Sequence, residues 1–248
     1  MPDHPVPTYL LTAEVGHPVL PTILKLVVDQ TIRSVCEFGG GANPVLPLAD
    51  IRRLGLRYVV VDASADELAK APPGYDTSVR DVASHSGDGD GDGERFDLVV
   101  SRFLAEHVED PAAFHANVFR ALRPGGFAAH FFPTLPAPPF LVNRLLMGRR
   151  SRRIVDLLQP GVRDAEGPIG KFPAYYRWCE GPTRRQYCRF ASVGFEVFEF
   201  IVLVGHRYYE RFPAGQRLAD AISRRAIALR RPALSTYALV VLRRPPAR

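Results

Sequence analysis

From residue 32 to 133, short apolar or β-branched runs alternate with stretches of helical spacing. This is the pattern of parallel strands joined by right-handed crossovers. "IRSVCEF" (32–38) reads as a first strand that runs into glycines, and "LRYVVVDAS" (56–64) as a second. "YDTSVRDV" (75–82) is a weaker third, "RFDLVVS" (95–101) a strong fourth and "GGFAAHFFP" (125–133) a fifth. Between the last two, "DPAAFHANVFRALRPGG" (110–126) carries Phe114, Val118, Ala121 and Leu122 at helical spacing. Asp110 is its cap, Pro111 opens the first turn, and Pro124 with Gly125 stops it.

After residue 133 the character changes. "PTLPAPPFLV" is proline-rich and leads through a basic amphipathic segment to the aromatic stretch "KFPAYYRWCEGPT" (171–183). Regular order then resumes with a helix over 183–195 closed by Gly194, a strand over 196–205 and a final strand over 235–244, the last two separated mostly by one helix. The expectation is an α/β fold in one domain over 1–248: a seven-stranded, mostly parallel sheet with helices on both faces. Its core spans about 30–133, 183–205 and 235–244, and insertions at about 134–182 and 206–234 stand outside the sheet and form an acceptor lid.

Composition narrows the classes. With 248 residues, 46% hydrophobic and 23% charged, the chain can bury a sizeable core. No uncharged run approaches the roughly 18 residues of a membrane span, and the N-terminal stretch lacks the basic-then-apolar order of a signal peptide. A cytoplasmic protein with no membrane partner is expected. Cys36, Cys179 and Cys188 are odd in number and lack zinc-like spacing, so no disulfide framework and no metal site is predicted. The charge of +6 is mild, and its tightest cluster, "GRRSRR" (148–153), follows the apolar "PFLVNRLLM" as the polar side of a helix would. Nucleic acid is therefore disfavoured as a partner, and a monomer or homodimer is expected. The stretch "SGDGDGDG" (86–93) begins like a calcium loop, but Arg95 and Val99 fall at its eighth and twelfth positions, where an aliphatic anchor and a bidentate Glu belong. It reads as an acidic connection between the third and fourth strands.

The candidate chemistry begins where the first strand meets "EFGGGANP" (37–44), glycines at the carboxyl edge of a parallel sheet. A dinucleotide fingerprint started at Gly39 needs a glycine where this chain has Pro44. Glu37 before the glycines would repel a pyrophosphate and suits a cofactor with a cationic end. Asp62 ends the second strand, about 20 residues on, where a carboxylate can accept from ribose hydroxyls. Asp81 follows the third strand, placed to accept from an adenine amine, with Val82 offering its N–H.

These motifs, with "FDLVVSRFLAEHVEDP" around the fourth strand and "LRPGGF" before the fifth, resemble the class I S-adenosylmethionine-dependent methyltransferases of the small bacterial type, over roughly 30 to 135. Asn43 departs from the pattern where a third glycine is common. The resemblance implies a Rossmann-like class I methyltransferase fold and S-adenosylmethionine as cofactor. Glu37 would lie near the methionine amino group or the waters of the first turn. Gly39 and Gly41 would let the backbone pass the cofactor, Asp62 with the adjacent Ala63 would hold the ribose, Asp81 and Val82 the adenine, and Ser101 with Phe103 the methionine portion.

For the acceptor, "SRFL" stands where adenine N-methyltransferases carry their [DN]-P-P-[YF] quartet, and no cysteine follows a proline as a cytosine C5 nucleophile does. A hydroxyl of a small molecule or oligosaccharide is the acceptor expected. His107, just beyond the fourth strand, is the candidate base, with Glu106 as fallback or orienting partner and His206 after the sixth strand as a further candidate. His130, between alanine and phenylalanine, reads as a core or rim histidine. Tyr175, Tyr176 and Trp178, together with Tyr208 and Tyr209, offer aromatic and hydroxyl groups to an acceptor ring. The combination "FPAYYRWC…GPT" and "GHRYY" is similar to actinobacterial sugar O-methyltransferases of polysaccharide pathways, which implies a saccharide such as a methylmannoside. Magnesium serves some such enzymes, but its ligands are not legible in the chain. A nicotinamide oxidoreductase, an RNA methyltransferase and a noncatalytic cofactor-binding module are the alternatives.

Overall fold

A computed structural model describes residues 5–15, 18–83, 95–134, 173–206 and 213–247, with Ala233 described by its backbone alone. The strands are β1 (Thr8–Leu11), β2 (Ser34–Phe38), β3 (Arg57–Asp62), β4 (Asp76–Val79), β5 (Phe96–Arg102), β6 (Leu122–Pro133), β7 (Glu196–Val204) and β8 (Ser235–Arg243). They form one sheet in the order β1-β7-β8-β6-β5-β2-β3-β4. Every neighbouring pair is parallel except those of β8, which runs antiparallel to both β6 and β7. The sheet thus has eight strands, not seven. The extra one is the edge strand β1, which pairs Thr8 with Ile201 and Leu11 with Val204.

Besides one turn of helix at Thr12–Val15, the helices among the described residues are α1 (Val19–Asp29), α2 (Leu48–Leu54), the short α3 (Ala65–Leu68), α4 (Pro111–Ala121), α5 (Arg184–Val193) and α6 (Pro213–Ala228). They cover both faces, and the period-2 alternation of the strands sorts the core between them. Val35, Leu98, Val100, Phe127 and Ala129 meet Ile23 and Leu26 of α1 on one face. Cys36, Val99, Ala128 and Phe132 meet Phe114 and Val118 of α4 and Phe190 of α5 on the other. Full burial of each such aliphatic or aromatic side chain contributes about 1.5–3 kcal/mol.

The caps follow the chemistry of the sequence. Asp110 accepts from the Ala112 and Ala113 N–H groups at 2.9 and 3.0 Å and starts α4, which ends at Ala121, before the Pro124–Gly125 stop, because Leu122 already joins β6. Thr183 caps α5, and Gly194 closes it in the left-handed region at φ 105°. Two expectations change. Helix α1 had no counterpart in the sequence reading, and α6 packs on β1 and β7 with Ala226 in the core, so this part of the 206–234 insertion is body and not lid. The acidic stretch 86–93, the basic cluster 148–153 and residues 135–172 of the first insertion lie outside the described residues.

Candidate active site

The sheet reverses its strand order around β2: β3 and β4 lie to one side, β5 and β6 to the other. Chain ends leaving adjacent parallel strands in opposite directions open a crevice at their carboxyl edge. Gly39 enters it at φ 71° and donates its N–H to the Val61 carbonyl at 2.7 Å. A Cβ there would lie 2.9 Å from Leu104 Cδ1, and one at Gly41 (φ 44°) would lie 3.2 Å from Asp62 Oδ2. Both positions need glycine for conformation and for space.

Glu37 is 1% exposed, and its Oε2 accepts from the Val45 N–H at 2.9 Å and from the Tyr58 hydroxyl. Burial pushes the carboxyl up to about 7 against the pull of those two donors. That oxygen is therefore committed to the protein's own loop and braces the exit of the glycine turn. Arg102 closes the other side, its guanidinium donating to the Asn43 carbonyl at 2.8 Å.

Asp62 is half-buried at the end of β3. Its Oδ1 accepts from the Ser64 N–H at 2.9 Å, while Oδ2 faces Gly41. The exposed Ala63 follows. Asp81, exposed past β4, accepts the Ala83 N–H at 2.9 Å, and the buried Val82 accepts from Asn117 of α4 through its carbonyl at 2.8 Å. Asp62, Asp81 and Gly41 thus line the β3–β4 side of the crevice.

On the β5 side, Ser101 is fully buried, and its hydroxyl lies 2.8 Å from His130 Nδ1. That pair belongs to the core: burial pushes His130 down to about 3. The Ser101 side chain is thus turned into the core, on a strand paired on both sides. Phe103 stands at the rim, 39% exposed, with φ 56° and edge-on contacts to Phe131 and Tyr237 at 5.2 and 6.1 Å. A phenylalanine in the left-handed region stores about 1–2 kcal/mol of strain, a feature that clusters at working sites and that the sequence does not announce.

Beyond it, a single 3-10 turn, Ala105–His107, carries two of the three base candidates. Glu106 is 5% exposed, and burial pushes it up to about 8. Its Oε2 has no hydrogen-bond partner among the described residues. Its carbonyl accepts the N–H groups of Tyr175 and Tyr176 at 2.7 and 3.0 Å, and Arg177 donates to the Glu109 carbonyl at 2.7 Å. The segment 173–178 is thereby laid along the turn. His107 Nδ1 lies 2.9 Å from the Pro173 carbonyl. A carbonyl only accepts, so Nδ1 carries the hydrogen, and Nε2 lies 3.9 Å from Glu106 Oε1.

The aromatic residues expected at the acceptor divide. Trp178 stacks on the buried His115 at 5.5 Å and 15°, takes the Arg189 guanidinium over its ring at 5.6 Å, and accepts from Gln186 through its carbonyl at 2.7 Å. Tyr176 packs on the core. Trp178 is thus engaged between α4 and α5, and both 176 and 178 have backbone in the left-handed region. Tyr175, with Arg177 at 5.8 Å, is only partly buried beside the turn that holds His107. Tyr208 and Tyr209 lie outside the described residues. His206 follows β7, three strands from β5, and its carbonyl accepts from Gln216 of α6 at 2.8 Å. Strands about 4.8 Å apart set it some 14 Å from His107's strand, so the two are not brought together. His115, which carries no signal in the sequence, is a buried ring in the middle of α4 packed against Phe114, His130, Trp178 and Phe190. Among the described residues no group of three or more His, Cys, Asp or Glu side chains could hold a metal ion.

Comparison with known proteins agrees with this edge. A family model described as a methyltransferase domain matches residues 13–157. The ubiquinone biosynthesis O-methyltransferase of Parvibaculum lavamentivorans is 30% identical over 154 residues, which are 51% of this chain and 57% of that protein. The chain thus spans little more than half the length of that relative. Among solved structures, an S-adenosylmethionine-dependent methyltransferase of Archaeoglobus fulgidus aligns over 90% of this chain and 94% of its own at TM-score 0.53 and 12% identity. Haemonchus contortus phosphoethanolamine N-methyltransferase 2, solved with S-adenosylmethionine, aligns over 90% of this chain and 52% of its own at TM-score 0.50 and 14% identity.

Proposed function

Given that this chain belongs to the methyltransferase domain family and has the class I fold, we propose that it transfers a methyl group from S-adenosylmethionine to a hydroxyl of a small polar acceptor. A saccharide is the class to test first. The observation that carries the reading is the placement of His107, whose Nδ1 is held by the Pro173 carbonyl just past the strand that delivers Ser101 and Phe103. A hydroxyl must lose its proton as it attacks, and this is the group oriented to take it.

The crevice fits the cofactor by its donor set. When bound, S-adenosylmethionine supplies an electrophilic sulfonium methyl that a nucleophile displaces in line. Asp62 offers Oδ2 to ribose hydroxyls because Ser64 occupies Oδ1. Asp81 and the backbone of Val82 face the adenine, Gly39 and Gly41 let the backbone run beside the cofactor, and Phe103 covers the methionine side. His107 takes the acceptor's proton at Nε2, and the Pro173 carbonyl keeps the resulting imidazolium oriented. Glu106, kept neutral below about pH 8, does not compete for that proton there, and is the second candidate only where it ionises above that pH.

A second acceptor class, a phenolic hydroxyl, is our reading of the likeness to an O-methyltransferase of ubiquinone biosynthesis. The two separate by proton demand. A sugar hydroxyl needs the base throughout, whereas a phenol with a pKa near 10 ionises on its own as pH rises.

The test has two arms. S-adenosylhomocysteine should raise the melting temperature, whereas NAD and NADP should not; the reverse result would return the chain to the oxidoreductases. His107→Ala should keep S-adenosylhomocysteine affinity and lose about 10²-fold or more in turnover. A fully active variant moves the base to Glu106, and recovery of the variant at high pH selects the phenol. A screen of glycosides and phenols then identifies the acceptor.

A further inference from the structure

Helix α6 has two apolar faces, and only one is used by the fold. Ser223 and Ala226 are buried toward β1 and β7. On another face stand Leu218, Ile222 and Leu229, which are 64%, 53% and 52% exposed, with Leu234 beside them at 36%. Positions 218, 222 and 229 fall in line on a helix, so these side chains form a stripe and not scattered singles. Ile222, Leu229 and Leu234, between Arg225 and Arg231, line an open groove of about 350 Å³.

The charge around the stripe is one-sided. Arg217, Arg224, Arg225, Arg230 and Arg231 are all exposed. The one acid of the segment is Asp220, whose Oδ1 accepts from Gln216 at 2.9 Å. Arg224 also reaches Glu14 at 3.1 Å.

We propose that this face docks on an anionic lipid surface, with Leu218, Ile222 and Leu229 entering the headgroup boundary and the arginines taking lipid phosphates. The occupant follows from charge. A second copy bound by two-fold symmetry would set this arginine ring against itself. A protein partner would be expected to meet aromatic anchors, and the stripe has none. A phosphate plane above hydrocarbon complements both the cations and the aliphatic stripe. Such docking needs no spanning segment, and no helix among the described residues is long and apolar enough to be one. It places the protein at a membrane, against the sequence expectation of no membrane partner, without inserting it.

The test is co-sedimentation of the full chain with vesicles of phosphatidylcholine alone or with about 30 mol% phosphatidylglycerol, at about 0.1 M and 0.5 M salt. Binding is expected on the anionic vesicles only and should weaken with salt. Leu218→Ser with Ile222→Ser should lower the partition coefficient by at least about tenfold. Arg225→Gln with Arg231→Gln should lower it by roughly 30-fold. All four positions are at the surface, and an unchanged far-ultraviolet spectrum and melting temperature confirm folding. No binding to anionic vesicles, or equal binding by the variants, overturns the proposal. A concentration-dependent dimer that the leucine–isoleucine variant abolishes overturns it in favour of self-association.

Discussion

Replacing Glu106 by Gln should change how stability depends on pH more than stability itself. Burial holds this carboxyl at about 8 in the fold, against 4.5 as its ordinary value. Between those values the unfolded chain has released the proton and the folded chain keeps it. The native state then binds more protons, and stability falls as pH rises. Each pH unit in that window is worth 1.36 kcal/mol, so the interval from 4.5 to about 8 sets a ceiling of about 5 kcal/mol. About 3.5 kcal/mol of it falls between pH 5 and pH 8. An amide is nearly isosteric and does not ionise. Urea unfolding of both proteins at pH 5, 6, 7 and 8 should therefore show the variant gaining on the wild type by about 3.5 kcal/mol across that range. His130, pushed to about 3, titrates in both proteins and cancels from the difference. A difference constant across pH 5–8 would mean that Glu106 is ionised in the fold throughout that range, reaching water or held as a carboxylate by a cation.

Two further changes test the site. Gly39→Ala combines an unfavourable φ with a 2.9 Å approach to Leu104 Cδ1, and should cost about 1–3 kcal/mol in chemical denaturation and weaken S-adenosylhomocysteine binding in calorimetry; unchanged affinity would detach the turn from the cofactor. Trp178→Ala should lower stability by about 2–3 kcal/mol, because it removes the ring between His115 and Arg189. Loss of acceptor affinity at unchanged stability would return Trp178 to the acceptor surface.

Most of the sheet could be read from the chain because strands β2 to β8 each carry a local signal of apolar alternation, turn residues or caps. β1 could not: four residues, "TYLL", become a strand only by pairing with Ile201 to Val204, nearly 200 residues away. The glycine turn and the aspartates at the ends of β3 and β4 were legible, since their chemistry depends on position along the sheet edge. The environment of Glu106 was not. "LAEHVED" looks like a polar rim, yet Glu106 is buried where the backbone of Tyr175 and Tyr176 crosses over the turn. The same long-range packing sets Trp178 between His115 and Arg189 and seats His107 on the Pro173 carbonyl. Side-chain identity was visible in the sequence; which neighbour each side chain would meet was not.

The antiparallel insertion of β8 also orders events in time. β6 and β7 never touch each other in the sheet; β8 joins them, and β1 is attached through β7. During synthesis β6 is complete about 100 residues before β8 begins. At 5–20 residues per second its outer edge therefore stands open for roughly 5–20 s, with Phe131 and Phe132 near its end. That is ample time for an unpaired strand to find the wrong partner. The nascent chain is most exposed to aggregation while its crevice is already being assembled on the other side of the sheet.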